Sequence, residues 1–151
     1  MALKIDLETA KKLHEDSPEW FQRQLVKEFG AEAFKNFDYR EITTYEAALK
    51  VELPLKDDII YPTDAPWVVA TKKLRHIIRI INHKWFPDFN NDHQKWYAWF
   101  NLSSGSGFSD YAYFCAYSDS FVGSFLLYEN REKCEFGVTT FIELYKIMLT
   151  K

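Results

Sequence analysis

Trp96-Tyr97-Ala98-Trp99-Phe100-Asn101-Leu102 is followed by Ser103-Ser104-Gly105-Ser106-Gly107, then by the run 108–117, by Ser118-Asp119-Ser120, and by 121–128. Short aromatic runs broken by Ser, Gly and Asp read as strands joined by turns. Aromatic side chains pack well on a pleated surface, and glycine and short polar residues suit turns. The spacing predicts three strands, at about 96–102, 109–117 and 122–128, paired antiparallel in sequence order as a β-meander. Alternation puts Trp96, Ala98, Phe100 and Leu102 on one face and Tyr97, Trp99 and Asn101 on the other. A sheet backed by helices covers one face only. The other face then presents rings outward. Tyr97 and Trp99, joined by Tyr111, Tyr113 and Tyr117 from the neighbouring strands, are the candidate partner surface. Tyr and Trp suit interfaces because each joins apolar area to a polar tip.

Upstream the period changes to that of helices. Leu74, Ile77, Ile78, Ile81 and Trp85 recur at helical spacing and predict a central helix over about 65–84. Its β-branched residues lower its intrinsic propensity, so burial must supply most of its stability. Ile77, Ile78 and Ile81 are expected to be buried, and Lys73 and Arg79 exposed. Asp6 caps a first helix at about 7–15. Ser17-Pro18-Glu19 starts a second, which Gly30 ends in a left-handed conformation. Thr43 and Glu46 fit a capping box before a short helix that Pro54 stops. Downstream, Cys134, Val138, Phe141, Tyr145 and Met148 share one stripe of a last helix at about 130–149. Gly137 inside that helix costs roughly 1 kcal/mol against Ala and implies close approach by another element. The expected architecture is α+β: a helical N-terminal half, a three-stranded antiparallel meander and a long C-terminal helix.

The chain has 151 residues, which predicts a single domain over 1–151. Folding at this length buries roughly 70% of the surface of the unfolded chain, so neither metal nor disulfide is required for stability. Hydrophobic content of 47% and charged content of 27% are those of an ordinary soluble protein. A net charge of −3 gives no global attraction to nucleic acid or anionic lipid. Cys115 and Cys134 form no CxxC pair and read as reduced core residues. The N-terminus lacks the apolar region of a signal peptide, and the most apolar stretch, near 74–81, is too short and too charged to span a membrane.

Few chemistries fit the remaining residues. Asp88-Phe89-Asn90-Asn91-Asp92 alternates oxygen side chains as calcium loops do. His93 stands where such a loop needs Gly, and Trp99 where it needs Glu, so a polar connection is expected. His76 and His83 lie two helical turns apart, about 10 Å along the axis, too far to share one metal. Ser103-Ser104-Gly105-Ser106-Gly107 lacks the Gly-Lys-Ser/Thr ending of a phosphate loop, and Gly105-Ser106-Gly107 lacks the first glycine of a nucleophile elbow. No catalytic residue, metal or cofactor is expected. Lys72, Arg75, His76, Arg79 and His83 form a basic stripe opposite the isoleucines. Such a stripe can track phosphates, which makes a nucleic-acid-associated protein the alternative reading.

Trp85-Phe86-Pro87-Asp88-Phe89-Asn90, the run from Trp99 to Tyr111, Val122-Gly123-Ser124 and Phe141-Ile142-Glu143-Leu144-Tyr145-Lys146 follow one another in an order that resembles a family. So do Ser17-Pro18-Glu19-Trp20 and Phe29-Gly30. The family consists of uncharacterised small proteins from gut Bacteroidales genomes, their prophages and related tailed phages. This chain departs from it at Phe125, where relatives carry Arg. The resemblance implies a phage or mobile-element origin. Together with the outward rings it leads to the expectation of a non-enzymatic protein acting through a protein partner or self-association. Its expected place is the bacterial cytoplasm or the virion, with no membrane.

Overall fold

Helix α4, Pro66–Asn82, lies at the centre of the larger of two compact units, and its buried residues include Ala70, Leu74, Ile77, Ile78, Ile80 and Ile81. The computed structural model describes residues 5–34, 37–83, 85–101, 110–116 and 123–150. The isoleucine stripe is inside, as its period requires. Lys73 and Arg79 are only partly exposed, which corrects the expectation that both project into water. The Lys73 ammonium lies 5.2 Å over the Tyr45 ring, and Arg79 is held by two ion-pair and hydrogen-bond partners described below.

Residues 1–37 form the smaller unit. Helix α1, Leu7–Asp16, begins where Asp6 accepts a hydrogen bond from the Thr9 N–H at 2.8 Å. Helix α2, Glu19–Phe29, starts one residue later than expected, with Pro18 as its cap and no side-chain capping bond. Gly30 ends it at φ 84°, ψ 149°. The positive φ suits glycine, but the ψ is extended rather than left-handed helical. Ala10 and Leu25 are fully buried, and the His14 and Phe34 rings stack at 4.5 Å.

In the larger unit, 38–151, the short helix α3, Tyr45–Val51, is capped by Thr44, which accepts from the Ala47 N–H at 3.0 Å. The cap sits one residue beyond the expected Thr43. Helix α4 follows, capped at its far end by His83 in the left-handed region (φ 43°). Strands β1, Lys95–Asn101, and β2, Asp110–Ala116, form an antiparallel hairpin in which Trp96 faces Cys115, Ala98 faces Tyr113 and Trp99 faces Ala112.

The third strand is corrected. Among the described residues the sheet has two strands, and Ser124–Leu126 forms a 3₁₀ turn. Two residues beyond it, Tyr128 makes a single antiparallel bridge, with N···O distances of 2.9 and 2.7 Å. The bridge joins Trp96 on β1, not β2, so the order of a meander is absent there. Asn82 accounts for this geometry. Its Nδ2 donates to the Leu127 carbonyl at 2.8 Å, and its Oδ1 accepts from the Glu129 N–H at 3.1 Å. The backbone groups on the far side of Tyr128 are thereby taken by a buried side chain rather than by another strand.

The long C-terminal helix is corrected too. Helix α5, Arg131–Thr140, and helix α6, Ile142–Leu149, are separated by Phe141 at φ −113°, ψ 25°, whose ring is buried. Helix α4 packs on α6, and α5 packs on the hairpin. The Gly137 expectation holds: the fully buried Tyr128 ring crosses α5 there, and a Cβ on Gly137 would lie 2.6 Å from its Cε1. The Tyr128 and Tyr145 hydroxyls are 3.0 Å apart. No helix among the described residues is long and apolar enough to cross a membrane.

Candidate functional site

The hairpin register divides the five candidate rings. Directly opposed residues share a face. Tyr97 faces Phe114, whereas Tyr113 faces Ala98 and Tyr111 faces Phe100. Tyr111 and Tyr113 thus occupy the register of the helix-backed side, which corrects their assignment to one surface with Tyr97 and Trp99. On that side the Phe100 ring lies 5.1 Å from Tyr145, and the Tyr113 hydroxyl is 3.4 Å from Thr139 Oγ1. Tyr117 lies outside the described residues.

The outer face is itself divided. Tyr97 is 9% exposed, because Trp85 and Phe89 from the loop after α4, with Leu127, cover that end. Trp99, two residues on, is 49% exposed, and Phe114 beside it is 48% exposed. Their rings meet edge to face at 6.3 Å, and Phe114 also stacks on Tyr97 at 6.3 Å. What remains open is an aromatic pair on two paired strands, stacked on a buried tyrosine.

The basic stripe is not a bare cationic face. Lys72 donates to Asp64 at 2.7 Å and to the Ile59 carbonyl at 2.8 Å, and lies over the Tyr61 ring. Arg75 Nε is 3.0 Å from Asp58, whose carboxylate is almost fully buried, and its guanidinium lies over Phe125. Arg79 pairs with Glu52 at 2.8 Å and donates to the Leu53 carbonyl at 3.0 Å. His83 is the exposed left-handed cap, off the helical face. The segment 52–64 thus brings one carboxylate to each of Lys72, Arg75 and Arg79. The bond from Lys72, with that from the Tyr61 N–H, holds the Asp64 carboxyl below its ordinary range.

His76 is fully buried beside this row, in edge contact with Tyr45. Its Nδ1 lies 3.1 Å from Arg79 Nη2. A guanidinium only donates, so Nδ1 accepts and the proton sits on Nε2. Burial, then the Arg79 charge, lowers the His76 pKa below its ordinary 6.5, against the opposing pull of the Ala48 carbonyl, Asp58 and Glu52. The folded state therefore binds fewer protons than the unfolded chain as pH falls through about 6.5. The stability from neutral His76 is complete above that pH and is lost below it. Unfolding free energy should decline between pH 7 and 5, and His76→Gln should flatten the decline in urea titrations at each pH. The depressed carboxyls of Asp64 and Asp88 act lower, below their ordinary 3.8, and do not enter this window. An equal slope in both proteins would rule out His76 as the source.

The acidic loop closes on a cation of its own. Asp88 accepts from the Asn90 N–H at 2.9 Å in a tight turn, which holds its carboxyl below the usual range. Lys95, fully buried at the start of β1, donates to the His93 carbonyl at 2.8 Å and lies 3.4 Å from both the Asn91 carbonyl and Oδ1. Its ammonium lies over Phe89. Nothing in the sequence marks Lys95 for burial. Asp58 and Asn82 were equally unmarked, since their partners are distant in the chain. Cys134 is buried, which pushes its thiol up to about 12, and Cys115 is half-buried; both are free. Among the described residues no three His, Cys, Asp or Glu side chains converge as metal ligands would. No family model, curated protein or solved structure matches the chain.

Proposed function

We propose that this is a small non-enzymatic protein of phage or mobile-element origin. It acts through protein–protein contact at the open end of the hairpin, as a virion accessory protein or as a modulator in the host cytoplasm. The observation that carries the reading is the exposed pair Trp99 and Phe114. Large rings held on paired strands lose little freedom on binding and bury much area, which is why aromatic anchors dominate interface energetics. Self-association through this face is the simplest form. Lys72, Arg75 and Arg79 of α4, each matched to a carboxylate within the unit, are read as structural clamps.

Trp99→Ala tests the reading. Its melting curve should match that of the native protein, because the ring contributes little to the core. Its association should weaken by about 2 kcal/mol, roughly thirtyfold. Light scattering over a concentration series, with binding to partners recovered from the native host, measures the change. A native protein that stays monomeric, with host capture indifferent to Trp99→Ala, would defeat the proposal.

A further inference from the structure

Beside α4 a cavity of about 170 Å³ has a polar floor of Asp58, Arg75 and Arg79, and walls that include Ile78, Phe86 and Phe125. The floor is unfinished. Asp58 Oδ1 and Arg75 Nε are 3.0 Å apart, yet out of line, so neither completes a hydrogen bond, and Arg79 Nε is buried without an acceptor. Asp58 occupies the Nε side of Arg75, which leaves its terminal nitrogens without a carboxylate among the described residues. Two guanidiniums and one carboxylate line the space, and a second carboxylate balances Arg79 from outside it. Glu52, the partner of Arg79, lies outside the lining with its side chain 59% exposed. His76, held below its ordinary pKa, adds no charge at neutral pH. The exposed rim is apolar: Phe86 is 69%, Leu55 50% and Phe125 39% exposed.

We propose that this cavity binds a small apolar acid with a hydrogen-bond donor next to its carboxylate, an α-hydroxy acid in the simplest case. The carboxylate takes the terminal nitrogens of Arg75 in a two-pronged bond, the geometry a guanidinium favours. The adjacent hydroxyl donates to Asp58 Oδ1. The hydrocarbon tail lies between Phe86 and Phe125. The paired terminal nitrogens of Arg75 select a carboxylate, and Asp58 selects one with a donor beside the acid. The volume sets the size. Pockets for drug-sized ligands run to about 300–1,000 Å³, so this one admits a compound no larger than an amino acid. The site is separate from the Trp99 face and does not depend on it.

The test is an NMR titration of the native chain, following the amides of Trp85 and Phe125. The probes are 2-hydroxy-4-methylpentanoate, its amide, and 4-methylpentanoate, which lacks the hydroxyl. The hydroxy acid should give saturable shifts with a Kd on the order of 1 mM or below, as expected of so small a ligand. Loss of the carboxylate charge should weaken binding at least about tenfold. Loss of the hydroxyl should weaken it about fivefold or more, because Asp58 is left unpaired. Arg75→Lys keeps the charge but not the two-pronged geometry and should weaken binding about tenfold. Absence of saturable shifts at tens of millimolar, an amide that binds as well as the acid, or a folded Arg75→Lys protein with native affinity would each overturn the proposal. Should Arg75→Lys fail to fold, the three probes on the native chain decide.

Discussion

Gly137→Ala should destabilise the native protein by about 1–3 kcal/mol, as overpacking does, and should stabilise a Tyr128→Ala variant by about 1 kcal/mol. The reversal of sign follows from one contact. The three atoms nearest a Cβ at Gly137 all belong to Tyr128, with Cε1 at 2.6 Å and Cζ at 2.7 Å. Tyr128 is wholly buried and cannot swing away into solvent. Its hydroxyl is tied to that of Tyr145, and its backbone is bridged to Trp96 on β1. The ring therefore cannot move far enough to relieve the clash. Tyr128→Ala alone should cost about 3–5 kcal/mol, the range for deleting a buried aromatic. It also empties the space over α5. There the intrinsic advantage of Ala over Gly in a helix, about 1 kcal/mol, is no longer opposed. Urea unfolding of the four proteins completes the cycle. A Gly137→Ala substitution with the same sign in both backgrounds would mean that Tyr128 is not what the glycine accommodates.

That contact shows how far the sequence is legible. A glycine inside a helical stripe announces a close approach, because its cost in propensity needs a reason. It does not say which residue approaches. The isoleucine stripe of α4 was readable because helical periodicity is a local signal, and the cap at Asp6 was readable for the same reason. Thr43 and Ser17 were each one residue early, an error within the usual ambiguity of helix ends. The third strand failed for a non-local reason. Asn82, 45 positions before Leu127, claims the backbone groups that the pattern of residues 122–128 seemed to offer to a neighbour. The two faces of β1 were readable from alternation, but the register that places Tyr113 opposite Ala98 was not. The burial of Tyr97 beside the exposure of Trp99 was not, because it depends on where Trp85 and Phe89 come to rest. The break at Phe141 has the same character: a ring that belongs to the helical stripe is buried at a residue out of helical geometry. The basic stripe shows the limit most plainly. Its charges are visible on one helix, but the carboxylates that meet them arrive from segment 52–64, and no period within α4 records that.

The same pairing makes an asymmetric prediction. Arg75→Ala should cost about 3–5 kcal/mol at neutral pH, the range for breaking a buried ion pair. Asp58→Ala should cost under about 2 kcal/mol, nearer the range of an exposed ion pair. The difference lies in what each substitution leaves behind. The Asp58 side chain is 3% exposed, that of Arg75 34%. Without Asp58, Arg75 keeps its stacking over Phe125 and turns its guanidinium toward water, where the charge is solvated. Without Arg75, the Asp58 carboxylate, 3% exposed, loses its ion-pair partner, and Arg79 is already engaged by Glu52 and Leu53. The decisive protein is the double variant. Removing Asp58 in the Arg75→Ala background deletes the stranded charge, so the pair of substitutions should be less harmful than Arg75→Ala alone. Urea unfolding of the native protein, the two single variants and the double variant reads every term. A double variant less stable than either single one would show that packing, not the buried charge, is what Arg75 provides; the opposite order would identify Arg75 as the residue that allows a carboxylate to sit inside this fold.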